Sequence, residues 1–218
     1  MDDYISEEQS VEALKKWWQE NYTSILWGLV LGFAVLTSWN IWQSTKQRKA
    51  DEASGLYQQL LRAVDAKQAE PAIKLSERII EQFQGSTYAT YATLFAAKLK
   101  AEAGDLTGAK KALSDLLAAS KDGDIKHLAR LRLGEVLLAL GENEAALKLF
   151  EPLKPRDMGK YESLYEELKG DVYATLDRTS EALAAYELAK EKGDATPLLE
   201  LKINNLAVDS ASTPAPAQ

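Results

Sequence analysis

An apolar run near the N-terminus constrains this chain more than any other feature. Residues 21–45 carry no charge, and most of them read SILWGLVLGFAVLTSWNIWQ. About 20 mostly apolar residues are enough for a helix to cross the hydrocarbon layer of a bilayer. Tryptophans sit near the two ends of the run, as is typical of membrane-interface aromatics: Trp27, Trp39 and Trp42. The run therefore predicts a transmembrane helix over residues 23–43.

The flanks of this run separate three interpretations: a buried core helix, a cleaved export signal and a permanent anchor. A core helix of this length normally carries a charge or an amphipathic face. An export signal begins with a positive segment and ends at small residues. Here residues 1–20 hold six acids and two lysines, and the far end reads WNIWQ. We therefore predict an anchor that is retained.

The charges beside the span leave its orientation open. Lys15 and Lys16 precede the span, whereas Lys46, Arg48 and Lys49 follow it. Basic residues favour the cytoplasmic side, so the count slightly favours a cytoplasmic C-terminal domain. The N-terminal amine nearly cancels this difference, and long domains cross the membrane largely regardless of flanking charge.

The arm before the span and one face of the span both predict helix contacts. Residues 1–22 form an amphipathic arm in which Ser6 and Gln9 fit a capping box. This arm predicts an interfacial helix or a partner-docking helix. Within the span, small residues recur at every fourth position and predict a ridge for close packing of another transmembrane helix: Ser24, Gly28 and Gly32. Residues 44–55 are a juxtamembrane linker or helix.

The chain after the span is built from repeats. Helical patterns of about 12–15 residues alternate with short breaks that read DAKQAEP, AGDLTG, LGENE and LDRTS. An alanine recurs at spacings of 37, 37 and 36 residues: Ala72, Ala109, Ala146 and Ala182. Strand-like alternation of any length is missing from the sequence. The pattern predicts an all-α domain of helical hairpins.

The residues around these alanines match the tetratricopeptide pattern of a small residue on the first helix and an alanine plus a large residue on the second. The best copies contain Gly134, Ala146 and Phe150, then Gly170, Ala182 and Tyr186. Residues 57–80 form a degenerate first copy. We predict a tetratricopeptide-like α-solenoid of about four hairpins over 56–208, closed by a capping helix over 196–208. A disordered tail is predicted over 209–218.

Taken together, the whole chain resembles a known family. An EEQSVEALKKWWQEN arm leads into a GLVLG-containing span that ends in WNIW, and the repeat domain closes on LKINNLAV. In these features residues 1–208 resemble the YfgM family, the ancillary subunits of the bacterial SecYEG translocon. The resemblance implies a single-pass inner-membrane protein with a cytoplasmic N-terminus and a periplasmic repeat domain. It also implies association with the translocon and with the membrane-anchored periplasmic chaperone PpiD, in the handling of newly exported polypeptides.

The residue chemistry favours binding over catalysis. His127 is the only histidine and the chain has no cysteine, so thiol catalysis and the usual zinc ligand sets are missing. The net charge of −7 disfavours a nucleic-acid partner, because a nucleic-acid binder needs a basic face. The family that the chain resembles has no catalytic motif to carry over. We predict a non-enzymatic protein without a cofactor or metal.

A stack of helical hairpins is concave, and the first helix of each hairpin lines its inner face. By register with the repeat, the inner positions predict a partner-binding groove formed by Tyr91, Leu94, Lys98, Glu102, Leu128, Leu131, Glu135, Leu164, Glu167 and Asp171. Such a mixture of apolar and charged side chains suits an extended segment or a helix of a partner. Stacked domains of this kind also self-associate, which leaves a homodimer open.

These observations predict a membrane scaffold that recruits partners beside the Sec translocon. Its partners would be the SecYEG translocon, the lipid bilayer, a PpiD-like chaperone and exported polypeptides. The alternative from another class is a membrane-tethered tetratricopeptide adaptor that faces the cytoplasm and assembles a different complex. An enzyme on a helical scaffold is the third hypothesis, and the scarcity of catalytic side chains argues against it.

Overall fold

The computed structural model describes residues 3–193 and 195–212, with side chains described over 10–193 and 195–207. The chain forms two compact units, residues 1–54 and residues 55–218. All the regular elements of the described residues are helical, which confirms the all-α prediction.

A single long helix, α1, runs from Asp3 to Asp65 without a break. It is the one helix, among the residues that the structure describes, that is long and apolar enough to cross a membrane. None of the residues of its apolar stretch is buried. The hydroxyls of Thr37 and Thr45 donate to the carbonyls of Phe33 and Ile41, so both polar groups are satisfied within the helix. Thr37 lies inside the predicted span, and a hydroxyl within hydrocarbon needs such a partner.

In the described residues of the second unit, nine further helices follow α1, with a 3₁₀ turn at Gly159–Tyr161. Their bounds are α2 Ala69–Gln82, α3 Thr87–Glu102, α4 Leu106–Ala119, α5 Gly123–Ala139, α6 Asn143–Phe150, α7 Pro155–Met158, α8 Glu162–Thr175, α9 Thr179–Lys192 and α10 Pro197–Ser212. We call the first helix of each hairpin helix A and the second helix B. The hairpins pair the end of α1 with α2, α3 with α4, α5 with α6, and α8 with α9. Helix α10 packs on α9 and continues to Ser212.

The repeating alanines mark the same structural position in every hairpin. Each is the fourth residue of its helix B, and each is fully buried: Ala72, Ala109, Ala146 and Ala182. Side-chain bulk at this point would separate the two helices, which explains why a small residue recurs at this position. The predicted period is confirmed by the observed helices.

Close packing around the small residue of helix A also fixes how helices A and B cross. A Cβ atom added to Gly134 would lie 2.5 Å from Cζ of Phe150, and one added to Gly170 would lie 2.4 Å from the ring of Tyr186. Both rings are buried. In these two hairpins an aromatic side chain therefore occupies the volume that a glycine leaves free.

The first hairpin reverses this size relationship. The residues that match Ala97 and Leu113 by the 37-residue period are Leu60 and Ser76, and both are fully buried. The large side chain is thus on helix A and the small one is on helix B. The Ser76 hydroxyl donates to the Ala72 carbonyl at 2.8 Å, which satisfies its buried polar group. This exchange explains why the first copy looks degenerate in sequence.

The turns between helices A and B share one backbone conformation. A residue with positive φ occurs in each turn at spacings of 37, 37 and 36: Lys67, Gly104, Gly141 and Asp177. The next residue donates its backbone N–H to the carbonyl five residues earlier in all four turns. This is the hydrogen bond of a Schellman motif, which usually uses glycine at the position with positive φ.

We therefore expect Lys67→Gly to stabilise the repeat domain by about 0.5–1 kcal/mol, because glycine adopts φ of 55° without steric strain. Urea unfolding monitored by circular dichroism measures this change. The matched control is Lys74→Gly in the exposed right-handed interior of α2, which should cost about 1 kcal/mol. Equal destabilisation by the two substitutions would contradict the assignment.

Candidate functional site: a cavity between the A helices

A cavity of about 470 Å³ opens between the second and third hairpins. Helices α3 and α5, both A helices, supply most of its wall, and Leu113 of α4 also lines it. The lining residues are Tyr91, Leu94, Phe95, Ala97, Lys98, Ala101, Glu102, Leu113, Leu128, Arg132, Glu135 and Val136. We call this space the A-helix cavity.

The A-helix cavity has an apolar lining and charged residues that pair with each other. Lys98 lies 3.7 Å from Glu102, and Arg132 lies 2.7 Å from Glu135. The four side chains are about half exposed or more, so these ion pairs contribute little to stability. Because each cation is paired with a carboxylate, the cavity presents apolar surface without an excess of either charge.

An aromatic cluster continues from one wall of the cavity. The ring of Tyr57 packs against Tyr88 at 5.6 Å between centroids, Phe95 at 6.2 Å and Tyr91 at 6.5 Å. Burial raises the pKa of Tyr57, and the neighbouring Tyr91 raises it further. The Tyr57 phenol is therefore neutral at physiological pH and serves as packing surface. Tyr91 itself is 42% exposed, so part of its ring is accessible at the surface.

Six of the ten predicted groove residues come together in this cavity: Tyr91, Leu94, Lys98, Glu102, Leu128 and Glu135. Leu131 instead lies in the core with Phe150 and Tyr165. The remaining three residues, on α8, lie outside the cavity. The sequence reasoning missed Arg132, although its spacing to Glu135 is that of a helical ion pair.

Two of the three α8 residues of the predicted groove, Glu167 and Asp171, contact α10. The Lys202 ammonium lies 2.8 Å from Oε1 of Glu167 and 2.7 Å from Oδ1 of Asp171. The Tyr186 hydroxyl also donates to Asp171 at 2.7 Å. Burial lowers the pKa of Lys202, but hydrogen bonds to Asp171 and Glu167 outweigh burial and leave the pKa raised. Lys202 thus fastens α10 to α8.

We expect Lys202→Met to destabilise the repeat domain by about 1–3 kcal/mol, since it leaves two partly buried carboxylates without their cation. Chemical denaturation of the purified chain measures the loss. Lys190→Met is the control, because Lys190 and Glu200 lie 3.7 Å apart in an exposed pair between α9 and α10, and it should change stability by about 0.5 kcal/mol or less. A silent Lys202→Met would show that α10 is held by apolar packing alone.

His127 lies at the junction of the third and fourth hairpins and does not line the cavity. Its ring stacks on Tyr161 at 4.8 Å, and its Nδ1 is 3.0 Å from the Tyr165 hydroxyl. Burial lowers the pKa of His127, and the positive charge of Arg130 lowers it further. These contacts give His127 a structural role in packing the two hairpins together.

Comparison with known proteins agrees with this architecture. A model of the tetratricopeptide repeat-like domain family matches residues 15–208. Among solved structures, MamA from Desulfovibrio magneticus RS-1 superimposes with a TM-score of 0.61 at 16% identity, over 74% of this chain and 86% of that one. That likeness concerns the fold. The chain is therefore a tetratricopeptide repeat-like protein with an apolar N-terminal helix.

Three relatives identify the family more narrowly than the fold does, and all three are named ancillary SecYEG translocon subunit. The protein of Aggregatibacter actinomycetemcomitans is 31% identical over 93% of this chain and 98% of its own length. Those of Haemophilus influenzae and Escherichia coli are each 29% identical, over 93% and 95% of this chain and 98% and 100% of their own lengths. This chain belongs to the family of ancillary SecYEG translocon subunits. Its apolar helix fits a single-pass inner-membrane protein.

Proposed function

We propose that this protein is a non-enzymatic scaffold at the Sec translocon, which uses the A-helix cavity to bind a PpiD-like chaperone, newly exported polypeptides, or both. The observation that supports this proposal is an open apolar cavity whose charged lining residues pair with each other within the protein. Such a surface suits apolar segments of a partner, since apolar burial needs no specific charge. The anchor raises the local concentration of the repeat domain beside the membrane, so moderate affinity is enough.

Removing the repeat domain tests this assignment. A chain that lacks residues 56–208 should still insert into the membrane and should no longer co-purify with the chaperone. A control for insertion is resistance of the shortened chain to carbonate extraction. Undiminished recovery of the chaperone with the shortened chain would assign its binding to the arm or the span.

The proposed orientation places the repeat domain in the periplasm. Support comes from the family's association with a translocon that delivers polypeptides to that side. Alkaline phosphatase fused after Gln218 should be active, because the enzyme needs the periplasm to fold. An inactive phosphatase fusion, together with an active cytoplasmic reporter at the same site, would instead place the repeat domain in the cytoplasm, as in the adaptor hypothesis. That hypothesis is the one slightly favoured by the basic residues after the span, Lys46, Arg48 and Lys49.

The ridge of Ser24, Gly28 and Gly32 is our proposed contact with another transmembrane helix. No atom lies within 4 Å of a Cβ built on either glycine, so larger side chains leave α1 itself undisturbed. We expect Gly28→Leu with Gly32→Leu to keep membrane insertion and to lower recovery of the translocon several-fold. Val30→Leu with Ala34→Leu, on the opposite face, is the matched control. Equal recovery with both double variants would reduce the span to a tether.

A further inference from the structure

An apolar groove lies on one face of α1, in the C-terminal half of the predicted span. Its volume is about 490 Å³, and we call it the span groove. All but one of its lining residues are apolar or aromatic: Leu31, Ala34, Val35, Ser38, Trp39 and Trp42. The groove therefore offers a surface that suits a hydrocarbon chain.

The length of the span groove matches one leaflet of a bilayer. From Leu31 to Trp42 an α-helix rises about 16 Å, at about 1.5 Å per residue. One leaflet supplies half of a hydrocarbon core that is about 30 Å thick. A lipid acyl chain of one leaflet would thus follow the whole groove, whereas a second transmembrane helix would continue past Leu31 into the other leaflet.

A lysine lies at the end of the groove that is expected to meet the lipid headgroups. The Lys46 ammonium is 4.2 Å from the centre of the Trp42 ring, and Trp42 lines the groove. Lys46 is three residues beyond the predicted end of the span, which is about 4–5 Å along a helix. The headgroup layer on each side of the hydrocarbon is about 5–8 Å thick. This places the Lys46 ammonium at the level of the lipid phosphates.

A second lysine shares this face of α1. Lys49 follows Lys46 by three residues, so the two side chains are neighbours on the helix surface. Side chains of an α-helix lean toward its N-terminus, and both ammonium groups are therefore directed back toward the span. Arg48, by contrast, is two residues from Lys46 and lies about 200° around the helix. We call Lys46 and Lys49 the lysine pair.

The cations beside the groove lack anionic partners in the part of the chain that the structure describes. Residues 44–50 hold three basic side chains and no acid. No carboxylate oxygen of the described residues forms an ion pair with any of the three. Asp51, the first acid after the span, instead accepts a hydrogen bond from Gln47 at 3.0 Å. The ammonium N–H groups thus remain available to an external anion.

We propose that the span groove and the lysine pair bind an anionic phospholipid, with an acyl chain along the groove and the phosphate against Lys46 and Lys49. An anionic phospholipid joins a hydrocarbon chain of one leaflet to a negative headgroup, which are the two features that this face of α1 complements. The proposal rests on the predicted span and adds a lipid ligand to the scaffold. It does not involve the A-helix cavity, so this site and the proposed function can fail separately.

Photocrosslinking of the full chain in vesicles tests the lipid site. The vesicles contain phosphatidylglycerol and phosphatidylcholine in equal amounts, and an acyl-chain diazirine is placed on one lipid or on the other. Mass spectrometry should locate products of labelled phosphatidylglycerol at residues 31–42, in at least about fivefold excess over those of labelled phosphatidylcholine. Lys46→Gln should remove most of this excess. Arg48→Gln, which removes the same charge from another face, should leave it within about twofold.

Three results would overturn the lipid site. Equal crosslinking of the two lipids would reduce the groove to ordinary bilayer contact. Equal loss in Lys46→Gln and Arg48→Gln would indicate a diffuse attraction of anionic lipid to the basic flank. Lipid products elsewhere on the span but none at residues 31–42 would show that another helix covers the groove. Carbonate extraction should leave the unmodified chain and both variants in the membrane, and release of the unmodified chain would refute the predicted span together with the site.

Discussion

Replacing Gly134 by alanine is expected to destabilise the repeat domain by about 1–3 kcal/mol. In an exposed helix the same substitution stabilises by about 1 kcal/mol, because alanine is the better helix former. At Gly134 the new Cβ would lie 2.5 Å from Cζ of Phe150 and 2.8 Å from Cδ2 of Leu168. Both neighbours are buried side chains of the core, so the methyl group forces a shift of the core. Urea denaturation of the variant measures the cost.

Two further substitutions separate crowding from helix propensity. Gly55→Ala is the matched control, since Gly55 is an exposed glycine of α1 with no atom within 4 Å of a built Cβ. It should be neutral or stabilising. Phe150→Leu should lessen the cost of Gly134→Ala by shortening the side chain that it meets. Additive effects of the two core substitutions would contradict the proposed fit between glycine and ring.

Filling the A-helix cavity is expected to weaken partner binding strongly while the fold remains intact. Ala101 lines the cavity and is partly exposed, so Ala101→Trp places an indole in the apolar space. We expect binding of exported polypeptide segments and of the chaperone to weaken by at least about tenfold, or about 1.4 kcal/mol. Affinity measurements with the full chain in nanodiscs check this result.

The control for cavity filling is Ala118→Trp, which adds the same side chain at an exposed position of α4 outside the cavity. It should bind as the unmodified chain does. Circular dichroism should show that both variants keep the same helical content. Normal binding by Ala101→Trp would move the interaction to another face of the repeat domain.

The repeat architecture could be predicted from the sequence because backbone crowding selects residue type. Ala146 and Gly134 are needed wherever helices A and B cross closely, so the same small residues return at a fixed period. The turns are harder to predict from the sequence. Gly104 and Gly141 mark two of them, whereas Lys67 and Asp177 adopt the same positive φ without the residue that signals it.

Other features depend on contacts between distant residues. The first hairpin exchanges the large and small positions, with Leu60 on helix A and Ser76 on helix B, and a pattern defined by size at each position misses this compensation. The capping helix shows the same difficulty. Its ion pairs join Lys202 to Glu167 and Asp171, and the sequence gives no sign that these groove candidates already have a partner.

The candidate site was predictable in part for the same reasons. The inner positions of α3 and α5 follow from the repeat register, and six of them meet in the A-helix cavity. Leu131 follows the same register but lies in the core beside Phe150. Helix α6 ends at Phe150, and the short helix α7 and the 3₁₀ turn then lead into α8. This irregular connection changes which side chains are buried around Leu131.

Site-specific photocrosslinking in cells tests the central claim most directly. A photoreactive residue at Tyr91, in the A-helix cavity, should crosslink to a polypeptide arrested during export. The same residue at Lys111, which is exposed on α4 and does not line the cavity, should give little product. Crosslinks of equal intensity from the two positions, or from Lys111 alone, would contradict binding of exported polypeptides in the A-helix cavity.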